Sequence, residues 1–198
     1  MYNSKFFEKY KNNIETFNTK LSKAIGIIEQ NQSVLAKQIL KVISSKKLII
    51  SSFFNITQEY FLRMRKDIEE EKGEILSIDF PPHISTIRKL ESHVDGIIYD
   101  NKIIYIDSKK KPQAIANILV HEICHFLNVN IHNQEKLNNG KDIANYCDEV
   151  RARTGEKIFE KNGHCLTRSN IKEIHKNVTD LYPEFLVDYE YASKLGYI

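Results

Sequence analysis

Residues 118–128 read ILVHEICHFLN, with His121 and His125 four positions apart and Glu122 between them. Apolar residues Ile115, Ile118, Leu119 and Phe126 recur at helical spacing around them, and Pro112 suits the first turn. The stretch is therefore expected to be a helix starting near residue 112. On a helix, side chains four apart lie one above the other, so both imidazoles can aim at one point. Glu122 sits about 100° round the helix, near that point but off it. That pattern, H-E-x-x-H, is the geometry of two metal ligands and a base. A half-buried cluster of this kind otherwise carries a desolvation cost with nothing to offset it.

Working toward the N-terminus, "DGIIYDNKIIYIDS" at 95–108 has two Ile/Tyr-rich runs flanking Asp100, Asn101 and Lys102. Asp and Asn tolerate the left-handed backbone of a tight turn, so this predicts a β-hairpin. Its second run, 103–107, is expected to offer an exposed edge to an extended substrate. "FPPHIS" at 80–85 is a rigid break. Before it, three- and four-residue apolar spacing predicts helix over 4–45, weakened at Asn31 and Gln32, and again over 52–71 up to Gly73. This gives a division into a helical region at 1–79 and a second region at 80–198, or one compact domain overall.

Toward the C-terminus, the polar, Asn-rich 128–141 predicts a long loop. "DIANYCDEVRARTGEKIFEK" predicts a second strong helix closed by Asn162 and Gly163. The tail from 167 is expected to add one or two helices, the first opened by Ser169. The fold class is α+β and mostly helical, with a small hairpin before the histidine-bearing helix.

Composition narrows the classes. Lys+Arg 29 against Asp+Glu 26 leaves a net charge of only +3, spread along the chain, which argues against a nucleic-acid partner. Three cysteines, Cys124, Cys147 and Cys165, make no disulfide framework and suit a reducing compartment. The start carries charges where a secretory signal needs an apolar core. The most apolar run, 48–56, is half the length needed to cross a bilayer. The expected product is a soluble monomer with no membrane span.

Zinc needs a third ligand. One large class of zinc peptidases places a glutamate on a second helix, with a small residue three positions later. "DEVRA" supplies Glu149 and Ala152 in that arrangement. Ala152, with Ala144 and Gly155 on or near the same slim side, lets this helix approach the first. Asp148 is the rival ligand, shorter and pointing elsewhere. His132 is rejected: a second class needs its third histidine six residues after the second, with a glycine between, and this chain has neither. Asp148 and Glu156 are candidate acceptors for the outer imidazole N–H groups. Tyr146, Arg153, His164 and Tyr182 are candidates for a second donor to a developing oxyanion. His164 or Cys165 could instead close a structural zinc site.

"HEICH" followed by "DEVRARTGEKIFEKNGHCLTR" resembles the short zinc metalloproteases of bacterial secreted effectors and toxin domains, the NleD-like group. The matching positions are His121, Glu122, His125, Glu149, Ala152, Arg151 or Arg153, Glu156, Gly163 and Arg168, within residues 95–170. The chain departs from the group at Lys157, where Asn is common, and at Asn170, where a tyrosine is common. The resemblance implies a zincin-like core with a gluzincin-like third ligand and one Zn2+. It also implies a protease made in the bacterial cytoplasm, delivered into a host cell without a cleaved leader, and acting on a specific host protein. A self-regulating peptidase that cleaves a repressor, and an inactive zinc-binding interaction protein, stay open beside it.

Overall fold

The structure is a computed structural model in which residues 4–185 are described. The fold is α+β and mostly helical, with one three-stranded sheet among the described residues. Among the described residues seven helices run α1 (Ser4–Gln30), α2 (Val34–Ser44), α3 (Gln58–Lys72), α4 (Ile84–His93), α5 (Pro112–Asn139), α6 (Lys141–Glu160) and α7 (Arg168–Leu181). The strands are β1 (Ile49–Ser52), β2 (Gly96–Tyr99) and β3 (Ile103–Ile106). Short 3-10 turns follow β1 at Phe53–Asn55 and α7 at Pro183–Phe185. Any element beyond residue 185 lies outside the described residues.

Contacts divide the chain into two units, one of residues 1–28 and 42–119, the other of 29–41 and 120–198. The boundary expected at residues 79–80 falls inside the first unit. The reason is strand pairing: β1 lies parallel to β3, with Ile49 opposite Ile103 and Ser52 opposite Ile106, which ties residues 49–52 to the hairpin.

In the first unit the predicted hairpin is present. Asp100 and Asn101 both have φ of 52°, the left-handed pair that a two-residue turn between twisted strands requires. Arg63 of α3 donates to both oxygens of Asp100 and holds the turn against that helix. The expectation of an exposed edge at 103–107 is overturned. β3 is the central strand, in the order β1-β3-β2, and all four of its residues are buried. Its amide and carbonyl groups are taken by neighbours on both sides, so it has no row left to offer a substrate. The core around it comprises Phe53, Phe61, Ile87, Leu90 and Tyr105 among others, with the Phe53 and Tyr105 rings stacked 5.9 Å apart.

The helix expected over 52–71 begins only at Gln58, where the Thr57 side chain accepts from the Tyr60 amide; Gly73 ends it at φ 66°. α4 follows the Pro81–Pro82 break and was not foreseen. The His83 ring caps it by accepting from the Ser85 amide, a residue type that sequence rules do not flag as a cap.

In the second unit the break between α1 and α2 falls at residues 31–33, where expected, and Ser33 Oγ caps α2 by accepting from the Ala36 amide at 3.0 Å. The loop expected over 128–141 is helix. α5 runs to Asn139, and Gly140 alone, at φ 88°, joins it to α6. Only glycine takes that backbone freely. α7 opens on a capping box of Thr167 and Asn170, not on Ser169. By length and composition α5 passes the test for a membrane-crossing helix. Of its apolar residues, Ile115, Ala116, Leu119, Val120, Ile123 and Cys124 are buried in the protein, while Leu127, Ile131 and Leu137 are exposed.

Candidate metal centre

His121 and His125 stand on one face of α5, and Glu149 on α6 comes to meet them. The small residues of α6 make that approach possible. Ala144, Ala152 and Gly155 are buried in it, and a methyl group added at Gly155 would stand 2.5 Å from Cys124 Sγ and 3.2 Å from Leu35 Cδ2.

Three side chains converge. His121 Nε2 and His125 Nε2 lie 3.1 Å apart. His125 Nε2 is 3.5 Å from Glu149 Oε1, and His121 Nε2 is 3.6 Å from Glu149 Oε2. In a zinc tetrahedron with bonds of about 2.0–2.2 Å, neighbouring donors stand roughly 3.3–3.6 Å apart. The three spacings are close to such edges. Glu149 Oε2 is buried and has no hydrogen-bond partner, an orphaned acceptor facing an imidazole. A cation bound by the group gives that oxygen a partner. Among the described residues, His121, His125 and Glu149 form the one group of three whose atoms can hold an ion.

The surrounding charges favour a cation. Asp148 Oδ2 lies 2.7 Å from His125 Nδ1, and Glu156 Oε2 lies 3.6 Å from His121 Nδ1. Each imidazole therefore has a carboxylate behind it and its other nitrogen turned to the group, the arrangement that fixes ring orientation in metal sites. His125 is held above the ordinary histidine range. Burial opposes its protonation, but the hydrogen bond to Asp148 and the charges of Glu149, Asp148 and Glu122 outweigh that. The two Nε2 atoms meet across their short contact, at the positions from which they would hold a metal ion.

Glu122 is buried, 7% exposed, and close enough to His125 for its charge to count. Tyr182 lies beside Glu149 and Arg153. Burial first, and then the Glu149 carboxylate, pushes its phenol up to about 12, while Arg153 acts against the shift. Arg153 Nη1 stands 4.0 Å from Glu156, and its buried Nε has no hydrogen-bond partner.

Two candidates are not brought to the group. Tyr146 is fully buried with its hydroxyl 2.7 Å from His175 Nδ1, a pair within the α6–α7 packing. His164 is exposed in the turn after α6, as is Cys165. His132 Nδ1 makes a 3.3 Å contact with the Ala144 carbonyl. Glu135, in the 128–141 stretch whose composition predicts a loop, pairs with Arg151 instead; only the continuation of α5 past residue 128 points to it.

The chain matches no protein-family model, no curated protein and no solved structure.

Proposed function

We propose that this chain is a zinc-dependent endopeptidase with a zincin-like core, using His121, His125 and Glu149 to hold one Zn2+ and Glu122 as general base. The observation that carries this reading is the convergence of His121 Nε2 and His125 Nε2, 3.1 Å apart, on the Glu149 carboxylate, whose Oε1 lies 3.5 Å from His125 Nε2 and whose buried, unpartnered Oε2 lies 3.6 Å from His121 Nε2. Three protein ligands leave a fourth position open, as catalytic zinc sites do, whereas structural sites close it. Among the described residues no fourth member joins the group.

When bound, the ion supplies Lewis acidity, bringing the pKa of a water to about 7 and polarising a carbonyl. Glu122, one residue beyond His121 and off the ligand line, accepts the proton of the attacking water and returns it to the leaving nitrogen. Asp148 keeps His125 turned with Nε2 inward by a hydrogen bond, while the Glu156 carboxylate, 3.6 Å from His121 Nδ1, acts on that ring by its charge. Arg153 and Tyr182, next to Glu149, are the donors best situated to meet negative charge on the carbonyl oxygen.

The likeness of "HEICH" and "DEVRARTGEKIFEKNGHCLTR" to the NleD-like proteases supports a protein substrate in a host cell and delivery as a bacterial effector or toxin. The test is incubation of the purified chain with host-cell lysate, with and without chelator, and mapping of new N-termini. Cleavage that chelator abolishes, zinc restores and Glu122→Gln lacks while still binding zinc supports the reading. Cleavage undiminished in zinc-loaded Glu122→Gln contradicts it.

A further inference from the structure

Glu135 lies outside both metal-binding motifs, on the part of α5 beyond His125. Its two carboxylate oxygens accept from Arg151 of α6, Nη1 and Nη2 each at 2.8 Å. Arg151 Nη2 also stands 3.7 Å from Asp148 Oδ1. The other oxygen of Asp148 receives His125 Nδ1 at 2.7 Å. Four side chains on two helices therefore form one continuous line, Glu135–Arg151–Asp148–His125. All are largely enclosed, with side chains 13%, 25%, 15% and 15% exposed.

The distances define the roles. Asp148 Oδ1 is buried with no hydrogen-bond partner, so in this enclosed setting its charge depends on the nearby guanidinium. Arg151 is near enough to stabilise that charge but too far to bond it. What keeps it there is the two-pronged bond to Glu135, a planar fork of fixed geometry. Released from Glu135, the guanidinium would close on Asp148 and draw its carboxylate away from His125.

We propose that Glu135 is a positioning residue for the metal centre: by pinning Arg151 it keeps Asp148 on His125 Nδ1 and so keeps His125 Nε2 aimed at the ion. This inference rests on the metal reading above. Its competitor is a plain ion pair that fastens α5 to α6.

The experiment is zinc affinity of the full chain, by competition with a chromogenic chelator, in wild type, Glu135→Gln, Asp148→Asn and the double variant. Direct outer partners of metal-bound histidines typically count for 10–100-fold in affinity, so a residue one step further out is expected to count for about threefold to tenfold. Glu135→Gln should show that loss in the wild-type background and none in the Asp148→Asn background, because the effect passes through Asp148. Arg151→Lys keeps the charge without the fork and should lose affinity to the same degree. An equal loss in both backgrounds, or no loss in either, overturns the inference while leaving the metal reading intact. A wild-type chain that binds no zinc overturns the metal reading itself, and the two failures are distinguishable.

Discussion

His125 Nδ1 lies 2.7 Å from Asp148 Oδ2, and the opposite nitrogen of the same ring lies 3.1 Å from His121 Nε2. One imidazole is thus engaged from both sides, by a carboxylate on α6 and by its neighbour on α5. Removing the carboxylate frees the ring, so Asp148→Asn is expected to weaken zinc binding by about 10–100-fold while leaving the fold in place. Competition titration with circular dichroism as the fold control checks it.

The same contact sets a pH dependence in metal-free protein. The folded pKa of His125 is raised, so the folded state holds that proton more tightly than the unfolded chain. The stabilisation is complete below about pH 6.5, the ordinary histidine value, and is lost as pH rises through the folded pKa. His175 has the opposite sign, since burial lowers its pKa and the folded state resists its protonation. Comparison with Asp148→Asn isolates His125. The stability advantage of wild type, by urea denaturation in chelator, should shrink as pH rises from about 6 to 9. A constant difference would count against it.

Gly155 tests the helix approach that brings Glu149 in. Gly155→Ala sets a methyl group against Cys124 Sγ and Leu35 Cδ2 and should cost about 1–3 kcal/mol of stability, with weaker zinc binding as α6 is pushed outward. Cys124→Ala removes the sulfur, so the double variant should lose less than the sum of the two single losses. Strict additivity would mean the contact is not the cause.

In the first unit, Glu91 has a fully buried side chain that accepts from the Ser108 amide, from Ser108 Oγ and from Arg88. Glu91→Ala strands the Ser108 amide and hydroxyl and takes from Arg88 its carboxylate partner, leaving that guanidinium only Ser108 Oγ and Asn13 Oδ1, and should destabilise by about 3–5 kcal/mol. Chemical denaturation of zinc-free protein reads this without interference from the metal.

What the sequence discloses follows the range of the interactions involved. The hairpin turn and the α1–α2 break are written in neighbouring residues, and they stand where local rules put them. β1 is not local: "IISS" becomes a strand because β3, some fifty residues on, lies parallel to it, and nothing in its own pattern specifies that partner. The Asn-rich end of α5 defeats propensity for the same reason. Asparagine is a poor helix former, yet His132 meets the Ala144 carbonyl and Glu135 meets Arg151 on the returning helix. The meeting of His121, His125 and Glu149 was legible because the four-residue helix repeat pairs the histidines, and the pattern of a large zinc-peptidase class, a glutamate followed three positions later by a small residue, points to Glu149 with Asp148 as its rival. The outer line through Arg151 was not, because the Asn-rich stretch that carries Glu135 reads as loop by local propensity and becomes helix only through its contacts with α6.

The most direct measurement is a crystal structure of zinc-loaded protein with anomalous data at the zinc edge. The account predicts one ion bound by His121 Nε2, His125 Nε2 and a Glu149 carboxylate oxygen at about 2.0–2.2 Å, with one position left to solvent. An ion seated elsewhere, a Glu149 carboxylate beyond bonding distance, or a fourth protein ligand closing the site would contradict it.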